Sequence, residues 1–394
     1  MPPGSADDVA GFGPDHLPYG VFRAPGEAPR AGARLGTDVL DLAALARAGR
    51  LPVGEAVFAA DSLNPFMALG PGAWRACRTA LRELARDPAR LAGATVPLAG
   101  VELLLPFAVA DFVDFSSSLH HATNLGRILR PGGDPLHPNW RHLPVAYHGR
   151  AGSVVVSGTP VVRPAGQHRP QDGPPRFGPS ARLDVELELG YVIGTPSRLG
   201  EPVRLADALA HVFGVVLVND WSARDLQSWE YQPLGPFTGK SFATTVGAWI
   251  TPLEALAERR VAREPQEPAP LPYLCEAPWG YDVDVALELA GEEIARSNAR
   301  GVYWSIAQQI AHLTVNGAAL RTGDLLATGA ISGPGPRERG SLIELSGGGA
   351  EPLVLGDGRR RTFLEDGDEV VLRGTAGEGI ALAEVRGRVL PAAG

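Results

Sequence analysis

The chain has 394 residues, of which 44% are hydrophobic and 20% are charged, so it can bury a substantial core and is not a disordered protein. Its net charge is -8 and it has no basic tract, which argues against nucleic acid and anionic membranes as partners. Its 49 glycines and 36 prolines favour many short strands joined by turns.

The two cysteines and the first residues indicate the compartment. Cys77 and Cys275 are too few for a disulfide framework and too far apart for a zinc knuckle, so we interpret them as packed thiols in a reducing compartment. The start of the chain lacks the basic and apolar regions of a secretory signal. No run of about 18 apolar residues predicts a membrane span. We therefore expect a cytoplasmic protein.

The first hundred residues favour short strands followed by one helix. Strand-like runs separated by Gly and Pro, typical of a small barrel or meander, lie at 19–22, 33–36 and 38–43. Residues 73–93 carry apolar side chains at helical spacing, and the Asp87-Pro88 pair predicts that this helix ends or bends there. The apolar run 101–106 leads into a second domain.

From about residue 107 onward the strand signals dominate. The predicted elements are a strand, Gly turn and strand over 153–164, a loop over 164–181, a strand over 183–194, a helix over 203–214, a buried strand over 214–220, a loop over 262–278, a strand over 281–291 and a helix over 303–317. In 183–194 the residues alternate strictly, so Glu186 and Glu188 share one face and Val185 and Leu187 the other.

Four acidic residues lie at the end of a strand-like run or on one of its faces, namely Asp114, Glu186, Glu188 and Asp220. Burying unpaired carboxylates is very costly, so a shared pocket would require a hard divalent cation between them. Oxygen-only ligands argue against zinc. Taken alone, the Glu186/Glu188 pair favours the solvated face of an edge strand instead.

Two loop-like stretches are weaker candidates. His121 follows Asp114 by seven residues within 111–130, but a single histidine in a polar loop more often serves as a structural hydrogen-bond partner than as a base. The stretch 138–150 contains an aromatic residue and further histidines between prolines and glycines. Such loops are commonly well-packed corners, so neither stretch alone identifies a site.

The residues after the buried strand could line a pocket. If this stretch is helical, one helix face carries Asp220, Arg224, Gln227 and Tyr231. An ordinary solvated helix is equally compatible with that pattern.

The stretch 235–241 only superficially resembles a phosphate-binding loop. Its G-x-x-x-G-K-S pattern is one residue short, and no apolar strand directly precedes it. We instead interpret Lys240 as a charge directed into the site, with Gly239 allowing a close backbone approach.

Together these blocks resemble the fumarylacetoacetase family. The similar strings are HATNLG (121–126), PNWRHLPVAYHGRAGSVVVSGTP (138–160), LDVELELG (183–190), NDWSARDLQSWEYQPLGPFTGKSFATT (219–245), RSN (296–298), VNGAALRTGDLLATGAISG (315–333) and GSLIELS (340–346). They follow the family's order, and 16–50 is similar more loosely. The resemblance implies a mainly β chain with some α. It implies a small N-terminal SH3-like barrel domain over 1–106 and a larger catalytic C-terminal mixed β-sandwich roll over 107–394.

The resemblance also implies roles for single residues. The residues implied to hold Ca²⁺ or Mg²⁺ are Asp114, Glu186, Glu188 and Asp220. The backbone implied to lie in a second cation or substrate region is near Lys240 and Thr244. The implied water-activating pair is His121 with Glu344. The residues implied to polarise the substrate are Arg224, Gln227 and Lys240. The positions implied to contact the substrate are Ser116, Arg130, Tyr147, Tyr231 and Ala330.

The implied reaction cleaves the carbon–carbon bond of 4-fumarylacetoacetate, giving fumarate and acetoacetate in the last step of tyrosine and phenylalanine catabolism, by a homodimer. Hydrolysis of a 1,3-diketone needs an electrophilic carbonyl and a stabilised enolate, which a divalent cation supplies as a Lewis acid. It also needs a base for water, which a histidine oriented by a carboxylate provides.

Two positions depart from the family's pattern. Ser116 stands where the family usually has Tyr, and Ala330 where it usually has Thr. Both positions normally touch polar groups of the substrate, and polar recognition is selective. The alternatives are therefore a related acylpyruvate or β-diketone hydrolase, or a 2-oxo-acid decarboxylase or tautomerase of the same superfamily. A third alternative is a non-catalytic binding protein that keeps the fold.

Overall fold

The computed structural model describes residues 11–170 and 173–393. The strands of its first half are β1 Tyr19–Arg23, β2 Arg30–Leu35, β3 Asp38–Asp41, β4 Thr95–Pro97, β5 Glu102–Leu104, β6 Phe112–Phe115, β7 Ala146–Gly149, β8 Val154–Val156, β9 Val161–Val162, β10 Ala165–His168, β11 Arg176–Pro179, β12 Leu183–Asp184 and β13 Leu187–Ile193. The later strands are β14 Val212–Asp220, β15 Ser222–Ala223, β16 Thr244–Val246, β17 Trp249–Pro252, β18 Arg260–Ala262, β19 Trp279–Tyr281, β20 Asp284–Leu289, β21 Glu292–Asn298, β22 Leu325–Ala327, β23 Leu353–Val354, β24 Arg360–Arg361, β25 Glu369–Thr375 and β26 Ala381–Leu390.

Short helices connect these strands. The α-helices of the described residues are α1 Leu42–Arg47, α2 Glu55–Phe58, α3 Asn64–Met67, α4 Pro71–Ala85, α5 Leu119–Leu129, α6 Arg224–Glu230, α7 Ile306–Thr314 and α8 Leu342–Leu345. The 3₁₀ helices are Pro88–Leu91, Leu98–Gly100, Ala151–Ser153, Leu205–His211, Leu253–Arg259, Pro272–Leu274, Ala299–Gly301 and Gly347–Gly349. None of the helices in residues 11–170 and 173–393 has the length and apolar character that a membrane crossing needs.

One large sheet organises the described chain. Its 13 strands follow the order β4-β3-β2-β1-β17-β14-β13-β22-β6-β7, with β5 paired to β1, β16 to β14 and β8 to β16. The N-terminal strands join the C-terminal ones directly, because Tyr19 and Gly20 of β1 pair with Ile250 and Trp249 of β17. A second sheet of five strands has the order β21-β20-β25-β26-β9.

The two faces of the large sheet are covered by different layers. Leu217 of β14 lies in a core cluster with Leu372 of the five-stranded sheet. Its neighbour Val218 lies in a second cluster with Leu81 of α4. β14 is therefore buried on both faces, which explains its continuous apolar sequence. The buried strand predicted at 214–220 is confirmed.

The coarse sequence predictions agree with this architecture. The prediction of a mainly β chain with an N-terminal part and a larger C-terminal mixed sheet is confirmed. The helix predicted over 73–93 ends as α4 at Ala85 and is followed by a 3₁₀ helix, as the Asp87-Pro88 pair indicated. The helix predicted over 203–214 is shorter and of 3₁₀ type, because Val212 already begins β14.

Some local predictions need correction. The two strands predicted over 153–164 exist, but β8 pairs with β16 and β9 pairs with β26. The loop predicted over 164–181 contains the hairpin β10–β11. All residues of 183–194 are buried, because layers cover both faces of the sheet, so the solvated-face interpretation of Glu186 and Glu188 is wrong.

Candidate active site

Neighbouring strands carry the predicted acidic residues to one place. Asp114 lies in β6, Glu188 in β13, Asp220 ends β14, and Glu186 directly precedes β13. Side chains alternate along a strand. Leu187, between the two glutamates, packs toward the five-stranded sheet. The glutamates therefore lie on the opposite face of the large sheet.

The carboxylates of Asp114, Glu186, Glu188 and Asp220 form one buried cluster, called here the acidic quartet. Each residue offers an oxygen, and these atoms all lie within 4.8 Å of one another. Glu188 and Asp220 are fully buried, and the other two nearly so. Among the described residues, Asp114 Oδ1 and Glu188 Oε1 are buried without a hydrogen-bond partner, which is uncommon for buried polar atoms.

Hydrogen-bond donors surround one side of the acidic quartet. Lys240 Nζ donates to Glu186 and, at 3.0 Å, to Asp220 Oδ2. Tyr147 Oη donates to the same Asp220 oxygen at 2.5 Å, and Thr244 Oγ1 donates to Asp220 Oδ1 at 2.7 Å. Both carboxylate oxygens of Asp220 therefore accept hydrogen bonds, whereas the quartet oxygens without a partner belong to Asp114 and Glu188.

Arg224 is a second cation at the quartet. Its Nη2 donates to Glu186 Oε1 at 2.7 Å, its Nε to Asp184 Oδ2 at 2.8 Å, and its Nη1 to Gln227 Oε1 at 3.1 Å. The predicted helix face starting at Asp220 is wrong, because Asp220 ends β14 and α6 begins only at Arg224. Arg224 nevertheless reaches the quartet from the first residue of α6.

The surroundings separate the pKa values within the quartet. Burial raises the pKa of Asp114 to about 8. Burial and the nearby Asp114 raise the pKa of Glu188 well above its ordinary value. Burial acts in the same direction on Glu186, but Lys240 and Arg224 outweigh it and lower the pKa of Glu186. Without a cation between them, burial and mutual repulsion favour the protonated forms of Asp114 and Glu188 more than in ordinary carboxyl groups.

The carboxylate oxygens of the acidic quartet suit a hard divalent cation as ligands. Every candidate ligand is an oxygen atom, and Asp114 Oδ1 and Glu188 Oε1 have free lone pairs. A doubly positive ion would favour the ionised carboxylates over the protonated ones. The acidic quartet could therefore bind a metal ion, with carboxylate ligands of the kind that calcium and magnesium prefer.

A histidine–carboxylate pair lies beside the quartet. His121 is in the first turn of α5, where Ser118 Oγ accepts from the His121 amide at 3.3 Å. His121 Nδ1 is 2.6 Å from Glu344 Oε2, and Nε2 is 3.9 Å from Glu186 Oε1. Burial disfavours the charged imidazole, but Glu344 outweighs it and raises the pKa of His121. The pair therefore connects α5 with α8.

Glu344 is fixed by several donors besides the histidine. Asn124 Nδ2 donates to its Oε1 at 2.9 Å, and Ser332 Oγ and Ser341 Oγ donate to its Oε2 at 3.0 and 2.8 Å. Burial would raise the pKa of Glu344, but His121 outweighs it and the pKa is lowered to about 2. The ionised carboxylate can hold a hydrogen on His121 Nδ1, which leaves Nε2 directed toward the quartet.

The loop that carries Lys240 is held by Glu230 at the end of α6. The Glu230 carboxylate accepts from Thr238 Oγ1 and from the Gly239 amide, each at 2.6 Å. A Cβ at position 239 would lie 2.7 Å from the Gln227 amide nitrogen, so the close approach predicted for Gly239 is confirmed. The ammonium of Lys240 lies against the acidic quartet, where it donates to Glu186 and Asp220.

Two family models match most of the chain. The model of the fumarylacetoacetate hydrolase C-terminal region matches residues 112–389, and that of the fumarylacetoacetase N-terminal region matches residues 15–106. The chain belongs to the fumarylacetoacetate hydrolase family. The resemblance seen in the sequence is thereby confirmed.

Full-length relatives of this family member include the fumarylacetoacetases of Homo sapiens, Oryza sativa subsp. japonica and Caenorhabditis elegans. The human protein is 46% identical over 400 residues, covering 96% of both chains. The rice protein is 44% identical over 404 residues, covering 96% of this chain and 94% of its own, and the nematode protein is 43% identical over 401 residues, covering 96% of both.

Solved structures share the fold of this family member. The fumarylacetoacetate hydrolase from psychrophilic Exiguobacterium antarcticum has a TM-score of 0.57 at 19% identity, covering 95% of this chain and 99% of that chain. The maleylpyruvate hydrolase from Sphingobium sp. SYK-6 has a TM-score of 0.56 at 18% identity, covering 95% and 100%. At these identities the likeness concerns the fold alone.

The two departures from the family pattern occupy different surroundings in this hydrolase. Ser116 lies just after β6, and its Oγ accepts from Trp140 Nε1 at 3.2 Å. Ala330 is fully buried. The residue before it, Gly329, donates its amide to Glu188 Oε2 at 3.2 Å. Position 116 is therefore close in sequence to Asp114 of the quartet, and position 330 is adjacent to a residue that bonds to Glu188.

Two other residues predicted to contact the substrate make hydrogen bonds to residues near them in sequence. Arg130 Nη2 donates to the Pro135 carbonyl at 2.6 Å. Tyr231, which follows α6, accepts from Gln232 Nε2 at 3.1 Å. Neither bond involves the quartet, so their predicted contact with the substrate remains a prediction.

Sequence reasoning missed the residues that support the site of this hydrolase. Asp184 binds Arg224, and Asn219 Oδ1 accepts from the Glu186 amide at 3.1 Å. Asp184 begins the same acidic alternation as the two quartet glutamates, which was an available signal. Ser332 lies in a loop distant in sequence from His121. No local pattern predicted that its hydroxyl would donate to Glu344.

Proposed function

We propose that the protein is a metal-dependent hydrolase that cleaves the carbon–carbon bond of a 1,3-diketone acid, 4-fumarylacetoacetate, to fumarate and acetoacetate, the last step of tyrosine and phenylalanine catabolism. The observation that carries this proposal is the 2.6 Å pair of His121 Nδ1 and Glu344 Oε2 beside the buried acidic quartet. The 46% identity to human fumarylacetoacetase supports the substrate.

Ca²⁺ or Mg²⁺ is the proposed cofactor. The residues that would hold it are Asp114, Glu186, Glu188 and Asp220, with the backbone near Lys240 and Thr244 in a second cation or substrate region. When bound, the cation supplies Lewis-acid polarisation of the diketone and stabilisation of the enolate that leaves. The Lys240 ammonium itself serves as a counter-charge in the structure, since it donates to Glu186 and Asp220.

His121 is the proposed base. Its Nε2 points toward the quartet and is 3.9 Å from Glu186 Oε1, so a water molecule bound beside both atoms would donate a proton to Nε2. The oxygen of that water adds to the substrate carbonyl. The bond between the two halves of the substrate then breaks, its electron pair leaves with the acetoacetate half as an enolate, and the proton held on Nε2 passes to the carbon of that enolate. Glu344 stabilises the imidazolium formed and keeps the hydrogen on Nδ1.

Arg224, Gln227 and Lys240 are the proposed donors for the developing negative charge. Arg224 and Lys240 are almost completely buried, and burial makes their charges more effective than in water. One preorganised donor contributes roughly 3–4 kcal/mol of transition-state stabilisation. Tyr147 keeps its hydrogen because burial raises the pKa of its phenol well above the ordinary value, so it can donate to the substrate or to Asp220.

The remaining substrate contacts are proposed from the family resemblance, at Ser116, Arg130, Tyr231 and Ala330. Ser116 and Ala330 favour a second candidate function, because neither side chain can replace the larger polar side chain that is usual there. That candidate is a related acylpyruvate or β-diketone hydrolase, or a 2-oxo-acid decarboxylase or tautomerase. Comparing kcat/KM across a series of acylpyruvates decides, since a clear preference for fumarylacetoacetate removes this candidate.

The test of the main proposal is direct. The wild-type protein is mixed with fumarylacetoacetate and Mg²⁺ or Ca²⁺, and loss of the diketone absorbance is followed. We expect turnover by the wild type and by His312→Ala, whose histidine bonds to Tyr273, and none by His121→Ala. No turnover by folded, metal-loaded wild type rejects the proposed function. Equal turnover by His121→Ala rejects the role of the histidine.

The assembly, the compartment and the domain division are part of the same proposal. We propose a homodimer, supported by exposed apolar side chains on β11 and the loop after α6, namely Phe177 at 81%, Leu234 at 96% and Phe237 at 69% exposure. Sedimentation equilibrium measures this directly, and a monomer refutes it. Free Cys77 and Cys275 support the cytoplasm. The proposed domains are 1–106 and 107–394.

A further inference from the structure

Asp184 is a fully buried carboxylate outside the acidic quartet. It ends β12, where it pairs with Ser222 of β15. No step of the proposed reaction uses it, yet its position next to Arg224 requires an explanation, because a buried charge is costly unless it is compensated.

Each carboxylate oxygen of Asp184 accepts two hydrogen bonds. Oδ1 accepts from the amides of Val185 and Leu342, each at 2.8 Å. Oδ2 accepts from Arg224 Nε at 2.8 Å and from the Ile343 amide at 3.2 Å. All four partners are donors, so the carboxylate is compensated only if it is ionised and oriented as observed.

Two of these donors belong to the start of α8. Leu342 and Ile343 are its first two residues, and Glu344 follows them. The first amides of a helix have no partner within the helix, and Ser341 at the N-cap makes no side-chain capping bond. Since α8 has only four residues, it is too short to be stable by itself. Asp184 therefore takes the place of the missing cap.

We propose that Asp184 is a positioning residue that fixes the Arg224 guanidinium and the helix of Glu344 relative to each other, and so aligns the proposed charge-stabilising donor with the proposed base pair. This inference rests on the proposed function. Arg224 in turn donates to Glu186, and Glu344 orients His121. One carboxylate thus links the two halves of the site through direct hydrogen bonds.

The variant Asp184→Asn tests the proposal with little change in volume. An amide offers one oxygen and one NH₂ group where the carboxylate offers two acceptors. In either orientation of the amide, its NH₂ group faces donors: Arg224 and Ile343 in one, Val185 and Leu342 in the other. One half of the link is lost in both cases.

The matched control is Asp368→Asn. Asp368 is also nearly fully buried, binds Arg361 through both oxygens at 2.9 and 3.1 Å, and accepts from the Glu365 amide at 2.8 Å. It contacts none of the residues assigned to the site. A general cost of losing a buried Asp–Arg pair will therefore appear in both variants, whereas misalignment of the site will appear only in Asp184→Asn.

We expect Asp184→Asn to lower kcat by about 100-fold, the size of a small misplacement of catalytic groups, with KM changed by less than about threefold. Asp368→Asn should keep kcat within about twofold of wild type. Equal kcat losses in the two folded variants, or no loss in Asp184→Asn, would overturn the proposal.

A second readout does not depend on turnover. The proton between His121 and Glu344 is followed by NMR, and it should shift in Asp184→Asn and not in Asp368→Asn. An unchanged resonance in Asp184→Asn overturns the link even if the wild type proves inactive on fumarylacetoacetate, which would reject only the proposed function. If Asp184→Asn does not fold, Asp184→Glu replaces it. The longer side chain keeps the charge but cannot keep all four hydrogen bonds, so the same resonance should shift, and no shift refutes the link.

Discussion

Replacing Glu344 by glutamine removes one negative charge from beside His121 at nearly constant side-chain volume. In the folded protein the pKa of Glu344 is lowered from 4.5 to about 2, which corresponds to about 3 kcal/mol of stability. Since a lowered carboxylate pKa stabilises the fold above the unfolded pKa, this contribution is present above pH 4.5 and is lost as the pH falls through about 2.

The catalytic effect of Glu344→Gln should exceed its effect on stability. An uncharged amide neither stabilises an imidazolium nor fixes the hydrogen on Nδ1, and the analogous change in a serine-protease triad lowers kcat about 10⁴-fold. We therefore expect a loss of about 10³- to 10⁴-fold, or about 4–5.5 kcal/mol of transition-state stabilisation. Steady-state cleavage of fumarylacetoacetate at saturating metal gives kcat, and urea unfolding gives stability.

Asp324→Asn is the control for that experiment. Asp324 is also almost completely buried, and its carboxylate accepts from the Arg321 amide at 2.7 Å. It should leave kcat within about twofold of wild type. If Glu344→Gln, folded and metal-loaded, keeps kcat within about tenfold of wild type, Glu344 does not orient the base.

Three further predictions concern the acidic quartet and its loop. Burial raises the pKa values of Asp114 and Glu188, the former to about 8, so Mg²⁺ or Ca²⁺ binding should release protons and tighten as the pH rises from 6 to 8; calorimetry in buffers of different ionisation enthalpy measures the release, and none at pH 7 refutes it. Lys240→Met leaves buried carboxylates without their ammonium partner, so thermal unfolding without metal should show a loss of about 3–5 kcal/mol that Ca²⁺ reduces; no loss contradicts the assigned counter-charge. Gly239→Ala places a Cβ 2.7 Å from the Gln227 amide nitrogen and should cost about 1–3 kcal/mol in urea unfolding; unchanged stability argues against the close approach.

The acidic quartet shows what a sequence can and cannot predict. Asp220 follows a continuous apolar run, and burial on both faces of β14 follows from that run alone. The alternation in 183–194 correctly placed Glu186 and Glu188 on one face. It did not show that this face is buried, because the groups that cover it, such as Arg224 and Lys240, come from segments distant in sequence.

The remaining site depended on contacts between distant segments. His121 and Glu344 are separated by 223 residues, and Asp184 and Leu342 by 158, so only the family resemblance connected the first pair, and nothing connected the second. The helix face proposed for Asp220 and Arg224 failed because β14 extends through Asp220 before α6 starts. Local periodicity does not fix such boundaries, since tertiary packing outweighs local preference.

The pairing of β1 with β17 bears on how this enzyme can be divided. If residues 107–394 were produced alone, β17 would lose a neighbour and present unpaired amides and carbonyls along a newly opened border of the large sheet. Such borders readily recruit strands from other chains. Residues 107–394 produced alone should therefore self-associate and precipitate. In the intact chain, the N-terminal strands should suppress this aggregation by covering the edge.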